Sequence, residues 1–301
     1  IDAALLVIAA NEGIMPQTRE HLIALQAKKI NNIIVIQNNI DLVDIDAAKK
    51  NYKEIKDFLK GTVAENSPII PCSAQQEINI DKIFEELCKI EMPLRDTESE
   101  PVFVVARSFD INKPGSEIDS LKGGVLGGAL KKGRLRVGDE IEIKPGRSYK
   151  KENQIVYETI RTRINSLHRG NYELKEAGPG GSLAIETELD PFLTKSDSLS
   201  GSVVGLNGKL PEISQNLTVK FNLFNEVLGM KEKRIVEPVK TPELLLLSVN
   251  TATTVGVVKK IKNDVFEISL RIPISSGIGD NVGIARNVNS HWRLIGFGEI
   301  C

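Results

Sequence analysis

The spacing of hydrophobic residues changes once along this chain, near residue 100, and this change constrains the fold more than any other feature. Before it, continuous apolar runs at 3–10 and 33–36 alternate with segments whose apolar residues recur every three to four positions. All-apolar strands that alternate with helices are typical of a parallel sheet covered on both faces. After it, short alternating segments are separated by glycine-rich turns, which is typical of antiparallel barrels.

The first part is predicted to contain three helices, each with one apolar face. Thr18 can cap the first helix, and Gly61 follows the second as a stop signal. The predicted helices are 18–29, 46–60 and 80–90. Ligands of parallel sheets bind at the carboxyl ends of the strands. Two polar segments lie at predicted strand ends, 36–41 and 71–75, so we expect a ligand to bind there.

A polar linker at 96–100 separates this part from a second one that is rich in short strands. The segment 135–143 alternates between apolar and polar residues, as a strand buried on one side should. Gly127-Gly128 is one of several glycine-rich turns predicted between strands. About 200 residues of this kind suggest two small barrels rather than one, with a seam near 205–210. We therefore predict an α/β domain at 1–97, followed by antiparallel β-barrels at 98–206 and 207–301.

Composition excludes several classes of protein. No apolar run approaches the roughly 18 residues that a membrane-spanning helix needs, and we expect no signal-like leader before Ile1. The three cysteines are widely spaced without a C-x-x-C pair, and the three histidines show no ligand spacing. This pattern argues against a disulfide framework or a zinc site and predicts a cytoplasmic protein. Because Ile1 leads at once into an apolar strand, we expect further residues upstream.

Charge is distributed unevenly between the two parts. Residues 1–100 carry 11 Lys or Arg against 17 Asp or Glu, and residues 101–301 carry 28 against 23. A positive balance in the second part favours contact with a polyanion, although an ordinary solvated surface fits the counts equally well. The segment 161–169 is basic and could face nucleic-acid phosphates. An exposed barrel strand with alternating arginines is the alternative.

An amide and a carboxylate follow the second predicted strand, in Asn38-Asn39-Ile40-Asp41. A fixed carboxylate can accept both N1–H and N2–H of guanine, and such charge-assisted pairs are strong. Adenine lacks that pair of donors, so Asp41 would be left unpaired against the wrong base. Asn38 can hold the loop and reach N7, while the backbone N–H of Ala74 can serve O6. A helix-capping role for Asp41 is the alternative.

These segments resemble those of a known family. The stretch 38–41 resembles the Asn-Lys-x-Asp base-recognition motif of GTPases, and Ser73-Ala74-Gln75 resembles their Ser-Ala-Lys loop. The stretch 11–22 resembles the segment after switch 2 of translational GTPases, and 122–141 looks like the second-domain barrel of the elongation factor Tu group. Within that group, five motifs resemble the gamma subunits of eukaryotic and archaeal initiation factor 2. They are FDINKPG at 109–115, AGPGG at 177–181, LDP at 189–191, LPEI at 210–213 and WRLIG at 292–296.

The resemblance implies the C-terminal part of a P-loop-type GTPase domain followed by two β-barrels. It implies a GTPase that binds GTP or GDP with Mg²⁺ and delivers initiator methionyl-tRNA to the small ribosomal subunit. The phosphate loop, the switch residues and the Mg²⁺ ligands are expected upstream of Ile1. No catalytic and no metal residue is therefore assigned in this chain. The residues implied to contact the guanine base are Asn38, Asn39, Asp41, Ser73, Ala74 and Gln75.

The resemblance also implies partners and leaves two alternatives open. The expected partners are the alpha and beta subunits of the same factor, a guanine nucleotide exchange factor and a GTPase-activating factor, with no membrane. The helices after Asp41 and Asn79 would dock the beta subunit, and the second-domain barrel would dock the alpha subunit. One alternative is a non-hydrolysing scaffold subunit with a degenerate G domain. The other is an elongation-type or selenocysteine-specific tRNA carrier of the same fold.

Asn39 departs from the family motif, which has lysine at this position. A lysine lays its apolar stem along the base and brings its ammonium group near the nucleotide loop. Asparagine is too short for that packing and carries no charge. The sequence therefore predicts weaker nucleotide binding than a lysine version would have, with the preference for guanine retained because Asp41 is present.

Overall fold

The computed structural model describes residues 1–28, 30–115, 117, 121–152, 154–227 and 234–301. These residues form two compact units. The first consists of residues 1–94 with 226–235, and the second of residues 95–225 with 236–301. Within the described ranges, no helix is both long enough and apolar enough to cross a lipid bilayer.

The first unit is built on a three-stranded parallel sheet in the order β1–β2–β3. The strands are β1 (Ala4–Ala9), β2 (Ile33–Asn38) and β3 (Ile69–Pro71). The central strand β2 is buried from Ile33 to Gln37. It is covered on both faces, which explains why it reads as a continuous apolar run.

Helices cover both faces of this sheet, and the prediction of a covered parallel sheet is confirmed. They are α1 (Pro16–Ala27), α2 (Ile45–Leu59) and α3 (Ile80–Cys88). Leu22 of α1 and Ile55 of α2 pack with Val35 on one face. Ile83 of α3 packs with Ile34 on the other. The two apolar layers thereby fix where the ends of β2 and β3 lie.

The start of α1 differs from the prediction. Thr18 does not cap the helix: the N-cap position is Met15, which has no side-chain capping bond, and Pro16 occupies the first turn. Proline has no N–H to satisfy and its fixed φ suits a helix start, so the helix begins two residues earlier and Thr18 is buried inside it. The predicted end at Lys29 lies outside the described residues.

The second unit begins with a sheet that closes into a barrel of six strands in the order β11–β5–β4–β12–β7–β8. Pairing of Ile185 with Leu167 joins the two ends of this order. Phe103, Leu126 and Ile143 are buried in its centre. The six barrel strands are β4 (Val102–Phe109), β5 (Val125–Lys132), β7 (Glu140–Lys151), β8 (Gln154–Arg169), β11 (Leu183–Thr187) and β12 (Val203–Leu206). In addition, β9 (Tyr172–Leu174) pairs with β8, and β6 (Leu135–Arg136) and β10 (Glu176–Ala177) form a separate two-stranded sheet.

A second closed antiparallel barrel follows, in the order β13–β16–β15–β14–β17–β18. Its alternating strands bury one row of side chains, including Leu245, Phe266 and Ile284. The strands are β13 (Ile213–Leu223), β14 (Leu244–Val249), β15 (Ala252–Lys262), β16 (Val265–Ser275), β17 (Asn281–Val288) and β18 (His291–Ile300). The prediction of two antiparallel barrels is confirmed.

Two local predictions in the first barrel are wrong. The segment 135–143 is two strands, β6 and β7, because a turn at Val137 and Gly138 intervenes, and the carboxylate of Asp139 accepts the N–H of Arg136 at 2.8 Å. Gly127-Gly128 is part of β5 rather than a turn. A Cβ on Gly128 would lie 1.9 Å from the carbonyl oxygen of Val104, so glycine is there because β4 approaches closely.

A charged cluster joins the two barrels. Lys131 Nζ donates to Asp280 Oδ1 at 2.8 Å and to Asn250 Oδ1 at 2.9 Å. Asp280 Oδ2 also accepts from Asn250 Nδ2 at 3.1 Å and from the Gly277 N–H at 3.0 Å. Burial opposes ionisation of Asp280, but these hydrogen bonds and the charge of Lys131 outweigh it, so the pKa of Asp280 falls below its ordinary value.

Replacing Asp280→Asn should reduce the free energy of unfolding by about 1 kcal/mol at neutral pH, because charge-assisted hydrogen bonds are lost. A carboxyl group with a lowered pKa contributes stability above its ordinary pKa and loses that contribution as pH falls. The difference between wild type and variant should therefore be constant near neutral pH and shrink below pH 3.8. Urea unfolding at a series of pH values measures it.

The control is Asp264→Asn, which removes an exposed carboxylate 3.6 Å from Lys220 Nζ. Exposed ion pairs contribute little, so this variant should unfold like wild type at every pH. A difference for Asp280→Asn that does not vary with pH would contradict the assigned role of its ionised carboxylate.

Candidate nucleotide-binding site

Two loops meet at the carboxyl edge of the parallel sheet because β2 and β3 are neighbours. Asn38, the last residue of β2, accepts a hydrogen bond on Oδ1 from the Ala74 N–H at 3.0 Å. The same oxygen lies 3.6 Å from Cys72 Sγ. Burial raises the pKa of the Cys72 thiol, which keeps it protonated and able to donate. The amide of Asn38 therefore joins the loop after β2 to the loop after β3.

Backbone hydrogen bonds support this junction. The Cys72 N–H donates to the Gln37 carbonyl at 2.8 Å, and the Ile40 N–H donates to the Cys72 carbonyl at 3.3 Å. Ser73 is fully buried. Its backbone pairs with Ile78, and its hydroxyl accepts the Gln76 N–H at 3.2 Å. Ser73 thus shapes the loop from inside, whereas Ala74 and Gln75 are exposed.

Asp41 lies in a short 3₁₀ turn, Ile40–Leu42, at the same edge of the sheet. Its side chain is exposed, and it makes no hydrogen bond or ion pair with any residue that the structure describes. The helix-capping alternative does not apply to it. The cap of α2 is Asp44, whose carboxylate accepts the Ala47 N–H at 2.7 Å. Asp41 is therefore available to a ligand.

Asn39 adopts a left-handed backbone conformation with φ 63° and ψ 34°. Asparagine tolerates this conformation better than most side chains other than glycine. The backbone conformation therefore favours asparagine over lysine at this position, in the sharp turn between Asn38 and Asp41.

One predicted contact needs correction. The N–H of Ala74 already donates to Asn38 Oδ1, so it is not free to serve O6 of a base as the sequence suggested. Gln75 is the next residue on this exposed loop, and its N–H makes no hydrogen bond within the described part of the chain. The loop after β3 therefore still presents one backbone donor, the Gln75 N–H, near the hydrogen bond between Asn38 and Ala74.

Sequence reasoning missed several residues that support the site. Asn79 donates from Nδ2 to the Pro71 carbonyl at 2.7 Å and closes the loop after β3. Gln37 and Asn51 are buried amides beneath the loop after β2, hydrogen-bonded to each other. A polar residue at the end of an otherwise apolar strand was the signal for Gln37, because a buried amide requires partners.

The donors and acceptors at this edge suit a purine base better than a metal ion. They consist of the carboxylate of Asp41, one side-chain amide and backbone groups. Among the described residues, no three His, Cys, Asp or Glu side chains are placed to hold a metal. A metal such as Mg²⁺ prefers several oxygen ligands, which the described residues of this edge do not bring together.

Comparison with known proteins agrees with this architecture. Residues 1–93 match the family model described as "Elongation factor Tu GTP binding domain". Residues 215–300 match the model described as "Initiation factor eIF2 gamma, C terminal". The sheet with its two loops thus falls within the first match, and most of the second barrel within the other.

Curated relatives match along the whole chain. Translation initiation factor 2 subunit gamma of Methanocaldococcus jannaschii is 52% identical over 302 residues, which cover 100% of this chain and 74% of the relative. The protein of the same name from Thermococcus kodakarensis is 50% identical over 301 residues, covering 100% of this chain and 73% of the relative.

A solved structure supports the fold. The apo form of translation elongation factor SelB from Methanococcus maripaludis aligns with a TM-score of 0.75 at 23% identity, covering 100% of this chain and 64% of that chain. At this identity the likeness establishes the fold alone, whereas half of the residues are shared with the curated relatives over the full length of this chain. The chain therefore belongs to the gamma-subunit family of translation initiation factor 2, within the translational GTPases.

Proposed function

We propose that this chain is the guanine-nucleotide-binding core of translation initiation factor 2 and carries initiator methionyl-tRNA to the small ribosomal subunit in a GTP-dependent way. The observation that supports it most is the pairing of Asn38 with Ala74 beside Asp41, whose carboxylate has no partner among the described residues. These groups lie at the edge of the sheet where parallel α/β proteins bind ligands. The relatives at about half identity carry the matching name.

Each group at the edge has a proposed role toward guanine. The carboxylate of Asp41 accepts N1–H and N2–H together, a charge-assisted bidentate pair. Asn38 uses its Oδ1 to hold Ala74, which leaves its NH₂ group to donate to N7. The backbone N–H of Gln75 is the proposed donor to O6. Ser73 acts from the interior by holding the loop in shape.

The phosphates and Mg²⁺ belong to a different part of the proposed site. The chain matches 74% of the length of its relative from Methanocaldococcus jannaschii. We place the Mg²⁺ ligands, the phosphate loop and the GTPase machinery in the remaining part of such a protein. When bound, Mg²⁺ would offset charge on the phosphates, while the residues of this chain bind and orient the base.

The proposed assembly follows from the same family. The proposed partners are the alpha and beta subunits, the small ribosomal subunit, an exchange factor and a GTPase-activating factor, in the cytoplasm. The proposed domains are 1–97, 98–206 and 207–301. The end of β12 at Leu206 and the start of β13 at Ile213 support the second boundary.

Replacing Asp41→Ala in the full-length protein should weaken GDP binding about tenfold or more, because two hydrogen bonds to a charged group are lost. Inosine diphosphate lacks the N2 amine, so wild type should prefer GDP to it, and the variant should lose most of that preference. Competition with a fluorescent GDP measures both affinities. The control is Asp46→Ala, an exposed carboxylate in the first turn of α2. Unchanged base preference in Asp41→Ala would contradict the role of Asp41.

Replacing Asn39→Lys should move two measurements in opposite directions. GDP binding should tighten because the lysine stem packs along the base. The melting temperature should fall because a left-handed backbone at lysine costs about 1 kcal/mol of folding free energy. The control is Asn39→Gly, which accepts the backbone conformation and adds no stem, so GDP affinity should not rise. Unaltered GDP binding in Asn39→Lys would show that other groups already cover the base.

The carrier function is tested with initiator methionyl-tRNA and the full-length protein. Binding should be tighter in the presence of a non-hydrolysable GTP analogue than with GDP, because a GTP-dependent switch requires different affinities in the two states. Filter binding or fluorescence titration gives both dissociation constants. Equal affinities would overturn the switch and favour the scaffold alternative.

A further inference from the structure

Two amide side chains are buried beneath the loop that begins at Asn38. Gln37 is 1% exposed and Asn51 is 5% exposed. Gln37 precedes Asn38 in β2, so its side chain lies on the opposite face of the sheet, toward α2. Neither side chain has a role in the nucleotide contacts proposed above.

Packing alone does not account for amides at these positions. In β2, Ile33 and Val35 precede Gln37 on the same face. In α2, Ile55 and Leu59 follow Asn51 on the same stripe. The layer between strand and helix is thus apolar along its length and becomes polar only at the edge where the ligand is expected. Buried amides carry a desolvation cost that apolar residues avoid.

The hydrogen bonds of the pair fix its orientation. Gln37 Nε2 donates to the Ala48 carbonyl at 2.9 Å and to Asn51 Oδ1 at 2.8 Å. A backbone carbonyl can only accept, so Nε2 of Gln37 must face Ala48, and Oδ1 of Asn51 must then face Gln37. Asn51 Nδ2 is directed to the loop after β1, where it would lie 3.8 Å from a Cβ on Gly13.

The pair therefore lies where two loops leave neighbouring strands. Gly13 belongs to the loop after β1; its φ is +74°, and its N–H donates to the Ala9 carbonyl at 2.9 Å. The Ala10 N–H donates to the Asn38 carbonyl at 2.7 Å. Gln37 ties the end of β2 to α2, and Asn51 lies against the loop after β1. The starting point of the loop that holds Asp41 is thus fixed from two sides.

We propose that Gln37 and Asn51 are positioning residues for guanine recognition. They hold the end of β2 so that Asn38 and Asp41 reach the base edge in register. A hydrogen-bonded pair defines one geometry, whereas an apolar pair fills the same volume with more freedom. This inference rests on the proposed nucleotide function, and it extends that function to residues that do not touch the base.

The test separates positioning from stability. In the full-length protein, Asn51→Leu and Gln37→Leu each leave one buried amide without its partner, so each should lower the melting temperature by several degrees. The double variant Gln37→Leu/Asn51→Leu replaces both amides by apolar groups, so it should melt close to wild type. The affinities for GDP and inosine diphosphate are measured for all four proteins.

Positioning predicts that the preference for GDP over inosine diphosphate falls about fivefold in both single variants and in the double variant, since Asp41 no longer meets N2–H in register. A purely structural role changes only the folded fraction, which affects both nucleotides equally and leaves their ratio unaltered. A double variant that recovers both its melting temperature and the wild-type ratio would overturn the inference.

Asn51→Asp is a further variant, and it keeps an acceptor for Gln37 Nε2 at the same place. Its GDP preference should lie closer to wild type than that of Asn51→Leu, and a ratio as low as that of Asn51→Leu would count against the inference. Wild-type protein that binds GDP and inosine diphosphate equally would overturn the proposed base recognition itself. Wild-type preference for GDP with unchanged ratios in every variant would overturn only the role of the pair.

Discussion

The hydrogen bond from the Ala74 N–H to Asn38 Oδ1 is the contact on which the candidate site depends. It joins loops that are 36 residues apart in the chain and are adjacent only because β2 and β3 pair in parallel. That pairing depends in turn on apolar layers on both faces of β2. Asp41 has no partner among the described residues, so its position is set by the turn that follows Asn38. The positions of the groups at this edge of the sheet therefore depend on the packing of the core beneath it.

Much of this could be predicted from the sequence because the responsible signals are periodic or local. Continuous apolar strands and an amide followed by a carboxylate lead directly to the sheet and its ligand edge. One error comes from a local signal that was given too little weight, and another arises where a neighbouring strand decides. Pro16 moved the start of α1 ahead of Thr18. Gly128 is inside a strand because the Val104 carbonyl leaves no room for a side chain. Such contacts between strands leave no pattern in a single sequence.

In the site too, features set by local sequence could be predicted, whereas features set by tertiary contacts could not. Asn38 and Asp41 could be found from their spacing. The sequence could not show which hydrogen-bonding groups of the loops are already used within the protein. The N–H of Ala74 is used inside the protein, and Asp44 rather than Asp41 caps α2. The left-handed backbone of Asn39 was also hidden, because asparagine is favoured at helix N-caps and in turns whose backbone is not left-handed as well. Only the folded chain distinguishes a residue that shapes the loop from one that faces the ligand.

The polar end of the layer between β2 and α2 explains how one sheet serves both stability and recognition. Ile33, Val35 and Ile55 supply the burial that holds the strand and helix together. Such contacts are non-directional and tolerate small shifts, whereas recognition of N1–H and N2–H by one carboxylate does not. Hydrogen bonds from Gln37 to Ala48 and Asn51 are directional. They lie at the last position of the layer before the loop, where a small displacement of the strand end would be carried directly to Asp41.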